Sequence, residues 1–217
     1  ISLPETEEDI DIAVKVTDLA GNWDTGGVTV AYSAGGGISD DFSSDTSENY
    51  TAIGPTQGTL TVSGGVASGS SWAFNYFYHE TTLDSANQTV SADVSYSDRS
   101  DSGGILLRCN PTNGTGYIVR FGYGEITLSS FDDSGTYLEA IYDGSYDEDE
   151  KTGTTTYAIS ATCSGNDWVI SVDGVECITY TDSTTPLTTG DYAGIACDRG
   201  NGNSANIIVD NFAAVGN

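Results

Sequence analysis

Basic residues are nearly missing from this chain. Six Lys and Arg stand against 32 Asp and Glu, for a formal net charge of −26 over 217 residues. A nucleic-acid binder needs Lys and Arg to neutralise phosphates, so that class is excluded. An anionic membrane surface would repel the chain. No stretch approaches the ~18 consecutive apolar residues of a membrane-spanning helix, so membrane insertion by a helix is not expected. There is one His, His79, and no Asp or Ser arrangement around it points to a catalytic triad. Met is absent altogether and the sequence opens on Ile1, which reads as a processed or truncated product from which any export signal has been removed.

What is present is a β pattern. Hydrophobic residues make up 37% of the chain, enough for a core, and Gly, at 27 residues, is abundant. Residues 1–10 are acidic and aperiodic and read as a tail. Over 12–32, Ile12, Val14 and Val16 alternate, the turn DLAGN follows, then Val28, Val30 and Tyr32. This predicts a β-hairpin. SAGGG at 33–37 reads as a hinge. From Ile38 onward short alternating segments are separated by Gly, Ser, Asn and Asp turns. QTVSADVSYS is the clearest: Val90, Ala92, Val94 and Tyr96 point one way, and Thr89, Ser91, Asp93 and Ser95 the other. Further segments are GGILLRC, GYIVRFGY, EITLSSF, TYAISATC, DWVISVDG, ECITY, YAGIAC and NIIVDNF. SGND at 164–167 and DG at 173–174 sit where hairpin turns belong. No helical periodicity runs beyond two turns. The expectation is an all-β, two-sheet antiparallel sandwich over 38–217, with residues 1–37 as acidic tail, hairpin extension and hinge.

Four Cys, at 109, 163, 177 and 197, allow three disulfide connectivities. The pairs favoured are Cys163–Cys177, stapling a hairpin, and Cys109–Cys197, joining two strands; four buried thiols are the alternative. With no CxxC spacing and one His, zinc is not expected.

The order of phrases DDF, GGILLRC, GYIVRF, TYAISATCSGNDWVISVDGVE, GDYAGIAC and VDNF resembles the concanavalin A-like lectin and glucanase superfamily of jelly rolls, laminin-G-like domains included, over 38–215. Residues 12–32, with VTDLAGN, resemble the closing strands of a bacterial immunoglobulin-like domain. The first resemblance implies that the outermost strands, ISDDF (38–42) and IIVDNF (207–212), lie side by side. Phe42 and Phe212 would then plug the core, and Asp40, Asp41 and Asp210 would crowd together. Three close carboxylates repel unless protonated or bridged, and Ca²⁺ is the natural bridge; the resemblance implies a structural calcium near this seam. A weaker second candidate is Asp143, Asp147 and Asp149 in the acidic run DGSYDEDEK.

Glycan binding is the activity the resemblance implies most broadly. Aromatic rings can stack on the C–H faces of sugars, and amide and guanidinium groups can satisfy hydroxyls. Trp72, Asn75, Tyr76, Tyr78, Arg120 and Tyr123 are the candidates. The glucanase branch carries a Glu-x-Asp-x-x-Glu strand; here Glu7, Asp9 and Asp11 alternate, but no closing Glu follows, and the segment precedes the jelly roll. The expected function is therefore a non-catalytic, calcium-stabilised module that binds glycans or cell-surface polysaccharide and serves adhesion outside the cell. The alternative is a structural or decorating subunit of a surface filament or virion that assembles through residues 12–32. A glucanase-like hydrolase ranks third.

Overall fold

Strands form here because apolar residues alternate with polar ones over runs of three to nine residues, and turns form where Gly and Asp accept positive φ. The computed structural model describes residues 10–17, 23–30, 37–56, 58–70, 74–95, 102–122, 125–133, 137–145, 156–183, 186–198 and 208–217. Two units divide the chain, Ile1–Gly35 and Gly36–Asn217. In the smaller, β1 (Ile10–Thr17) and β2 (Trp23–Val30) pair antiparallel, Ile10 opposite Val30 and Thr17 opposite Trp23.

The larger unit comprises β3 (Ile38–Asp40), β4 (Tyr50–Ala52), β5 (Leu60–Val62), β6 (Ala67–Gly69), β7 (Tyr76–His79), β8 (Gln88–Ser95), β9 (Ser102–Asn110), β10 (Thr115–Gly122), β11 (Glu125–Phe131), β12 (Tyr137–Ser145), β13 (Thr156–Ser164), β14 (Asp167–Val172), β15 (Val175–Thr181), β16 (Tyr192–Asp198) and β17 (Ile208–Gly216). One sheet runs β12-β11-β10-β9-β16-β7-β4 and the other β15-β14-β13-β8-β17-β6-β5, with β3 added beside β17. This is an antiparallel jelly-roll sandwich. The β14–β15 hairpin turns at Asp173 and Gly174, both at positive φ (51° and 75°), the pairing a type I′ turn requires.

The two sheets are buried differently. The eight-stranded sheet is one-sided: Val90, Ala92 and Val94 on β8, Tyr157, Ile159 and Ala161 on β13, and Trp168, Ile170 and Val172 on β14 face the core, while their neighbours are less buried. In the seven-stranded sheet, eight consecutive residues of β9 are buried. Ile105 and Leu107 face the main core between the sheets. Leu106 belongs instead to a second apolar layer with Ile53, Tyr76, Ile118, Phe131 and Ala196.

The outermost strands do meet. Phe212 lies opposite Asp40 and Ala214 opposite Ile38. A bulge between Asp210 and Ala213 interrupts the pairing of β17 with β8, with Asn211 at φ 49°. The extra residue lets both Val209 and Phe212 turn inward although they are three apart. Phe42, also at φ 49°, is buried beside them in the main core.

The expected disulfides are not formed; all four cysteines are free thiols. On the β9–β16 pair, Cys109 lies beside Tyr192 and Cys197 beside Gly103. The two thiols are therefore about six residues apart along the strands, on the order of 20 Å. Cys163 faces Trp168, which faces Tyr180, so Cys177 is two strands over and three residues along, roughly 14 Å. Neither separation fits the ~4–7 Å Cα spacing of a bridge.

Candidate functional site

The face of the seven-stranded sheet turned away from the core can be read from the register. One row across it is Tyr78, Gly194, Leu106, Ile118 and Ser129; the next is Tyr76, Ala196, Gly104, Arg120 and Thr127. Over β7, β16, β9, β10 and β11 neither row carries a carboxylate; β12 continues the second row with Asp143 opposite Thr127. Hydrolysis of a glycosidic bond needs two carboxylates, about 5–5.5 Å apart for retention or roughly 6.5–9.5 Å for inversion.

Small residues in the second row explain two of the residues singled out from the sequence. Ala196 and Gly104 let the Tyr76 ring reach across two strands, where its hydroxyl accepts a hydrogen bond from Arg120 Nη2 at 2.8 Å. Tyr76 is wholly buried, packed on Phe131 at 5.2 Å and Phe74 at 5.8 Å. Asn75 is buried as well, its Nδ2 donating to the Cys197 carbonyl at 3.0 Å. These residues fix the strand and its cover, and Asn75 and Tyr76 present nothing to a ligand. Trp72 and Tyr123 lie outside the described residues. Tyr78 stays half-buried at the rim.

At that rim Tyr78 meets Tyr192, ring centroids 5.2 Å apart and planes at 75°. The residue opposite Tyr78 is Gly194, so no side chain separates the rings. Burial, then the Glu80 charge, raises the Tyr78 hydroxyl pKa, while a hydrogen bond to Thr51 opposes the shift. Two open clefts flank the ring pair. One, of about 710 Å³, is lined by Asp84, Ser85, Asn110, Thr112, Asp191 and Tyr192 among others. The second, of about 220 Å³, is lined by Thr51, Gly54, Tyr78, Gly114 and Asp133 among others. Pro111 borders both.

The larger cleft is built on Arg108 and Gln88. Arg108 is 1% exposed and sits at φ 50°. Its guanidinium donates to the carbonyls of Ala86 (2.6 Å), Leu187 (2.9 Å) and Gly165 and lies 5.5 Å over the Trp168 ring. Gln88 accepts from the Arg108 amide at 2.8 Å and donates to Ser85 O and Gly190 O. The two walls, 83–87 and 187–191, are thereby tied to one buried cation and one buried amide. Gly190, at φ 124°, packs so closely that a Cβ there would lie 2.2 Å from Arg108 O.

Asp40, Asp41 and Asp210 do not make the three-carboxylate site expected from the sequence. Asp40 is buried and accepts from the Phe42 amide, the Thr46 hydroxyl and the Tyr50 hydroxyl at 2.8, 2.7 and 3.1 Å. Asp41 is exposed and accepts from the Ser43 amide; the Ser43 side chain first, and then that amide, lower its pKa. Asp210 accepts from the Asn211 amide, whose side chain reaches Asp93. Among the described residues no group of three or more His, Cys, Asp or Glu side chains is placed to hold a metal ion. A calcium implied by the superfamily does not fit this trio. Asp147 and Asp149 lie outside the described residues.

The signal for the rim was present in the sequence but weak. Tyr192 stands third in GDYAGIAC, Asp84, Asp133 and Asp191 fall between strands and Asn110 closes β9; binding residues concentrate in such connections. No family model matches the chain, and no curated protein sequence does. Solved structures do match in fold. Carbohydrate-binding module CBM66 from Bacillus subtilis aligns at TM-score 0.62 and 15% identity, covering 77% of this chain and 95% of that one. A Bacillus subtilis protein with a galectin-like fold aligns at 0.61 and 11%, covering 82% and 94%. A β-glucanase from Bacillus licheniformis aligns at 0.59 and 10%, covering 85% and 100%. The larger unit of this chain has the fold of the concanavalin A-like lectin and glucanase jelly rolls.

Proposed function

We propose that this chain is a non-catalytic glycan-binding module that works outside the cell, and that it grips its ligand at the rim of the seven-stranded sheet. The observation that carries the reading is the Tyr78–Tyr192 pair standing between two open clefts edged with carboxylate, amide and hydroxyl groups. Sugars offer apolar C–H faces to aromatic rings and hydroxyls to such polar groups, and ligand sites combine these features. Structural neighbours that include a carbohydrate-binding module support the reading. The two rows support its non-catalytic side, since over β7, β16, β9, β10 and β11 they hold Leu106, Ile118 and Ala196 and no carboxylate.

A glycan array with the intact chain tests this. Tyr192→Ala should weaken every positive spot by at least about tenfold, on the order of 1.4 kcal/mol, and Tyr192→Phe should largely keep it. Binding that survives loss of both Tyr78 and Tyr192 would place the site elsewhere.

A second reading rests on the β1–β2 unit. A two-stranded hairpin is at best marginal in water by itself, and strand addition to another sheet would stabilise it. It supports a role in assembly with neighbouring subunits. Sedimentation of the intact chain against a chain lacking 1–35 should then show larger species for the former alone.

A further inference from the structure

The two clefts share a sign of charge. Asp84 and Asp191 line the larger, Asp133 the smaller, and among the described residues no Lys, Arg or His lines either. Arg108, beneath the larger cleft, is buried and donates to protein carbonyls. Arg120 donates to Tyr76. A ligand entering these clefts therefore meets carboxylates, hydroxyls, amides and two phenol rings, against a chain whose net charge is −26.

We infer that the two clefts are adjoining subsites of one groove, crossed at Pro111 and the Tyr78–Tyr192 pair, that takes a neutral or amino-bearing sugar chain and rejects uronate and sulfated chains. This rests on the glycan-binding reading and adds the ligand's charge. The rings and clefts create the site; the acids set its sign. A sugar carboxylate or sulfate here would be desolvated beside like charge, with no cation among the described lining residues to pair it. A sugar ammonium would find up to three carboxylates within one groove.

The test uses the intact chain and two backbones, β-1,3- and β-1,4-linked glucose tetramers, each in neutral, 2-amino and 6-carboxyl form, titrated by calorimetry at low and physiological salt. On a backbone that binds, the amino form should equal or exceed the neutral one. The carboxyl form should be weaker by about tenfold, a gap that narrows with salt. The triple variant Asp84→Asn, Asp133→Asn, Asp191→Asn should bring the three forms within about twofold of each other. A control with Asp167→Asn and Glu176→Gln, acids of the other sheet, should leave the order intact; if it also levels the order, overall charge and not the groove is responsible, and the inference falls. Carboxyl and neutral forms binding equally overturn the inference and leave the glycan reading standing. Silence toward all six tetramers removes both.

Discussion

Arg108 offers a direct test of how the groove is held. In the change Arg108→Met, the apolar stem is kept and the guanidinium removed. Three carbonyls, of Ala86, Leu187 and Gly165, lose a charged donor, and Trp168 loses the cation above its ring. A hydrogen bond to a charged group contributes about 1.5–3 kcal/mol. A plain sum exceeds 5 kcal/mol, but water can enter beside 187–191 and contributions of one network do not add. A loss of about 4 kcal/mol is the working figure, a large share of the ~5–15 kcal/mol that holds a domain folded. With a urea slope of about 2 kcal/mol per molar, the midpoint falls by roughly 2 M. Arg108→Lys keeps the charge but not the planar fork and should lose about half as much. Urea unfolding followed by tryptophan fluorescence and by backbone circular dichroism measures both. A shift below roughly 0.5 M for Arg108→Met, about 1 kcal/mol, would refute the view that this cation ties the cleft walls together.

Further outcomes follow from particular residues. Thiol titration of the unfolded chain should find four reactive cysteines with or without prior reduction, since all four are free; fewer without reductant would restore a bridge. Asp41→Asn with Asp210→Asn should leave the melting temperature within about 2 °C, in calcium or in chelator, because surface changes of this kind stay near 0.5 kcal/mol; a calcium-dependent drop would revive the seam as a metal site. His79 packs edge-on against Tyr50 at 5.0 Å and its Nδ1 accepts from the Thr81 amide. Burial lowers its pKa from the ordinary 6.5, with Asp40 and Glu80 opposing. The unfolded chain then binds the proton more readily than the folded one, so the His79 contribution is present above about 6.5 and is lost as pH falls below it. Between pH 7.5 and 5.5 the unfolding midpoint should drop more for the natural chain than for His79→Gln; parallel curves would exclude the effect.

Alternation made the eight-stranded sheet legible from sequence, because one face is dry and the other wet: Val90, Ala92 and Val94 lie where the period of two put them. The meeting of the outermost strands was legible through the resemblance to the jelly rolls, which implies that the first and last strands lie side by side. The bulges were not. One extra residue at Asn211, and positive φ at Phe42, decide that Asp40 turns inward to the Tyr50 hydroxyl and that its acidic neighbours diverge; a one-dimensional pattern carries no such bend. The seven-stranded sheet hid its second apolar layer similarly. Asn75 and Tyr76 looked like ligand contacts because polar and aromatic residues in such a segment read as surface, but Tyr76 belongs to a second apolar layer and Asn75 is buried against the Cys197 carbonyl. Disulfide partners failed for want of register: Cys109 and Cys197 share a strand pair yet sit at opposite ends of it.

Dry packing on both sides of β9 has an evolutionary corollary. The central strands answer to two layers of neighbours at once, so substitutions there are constrained twice over. The segments 85–87 and 187–190 answer to one buried arginine and one glutamine. Substitutions can accumulate in these connections while the plate that carries them stays fixed.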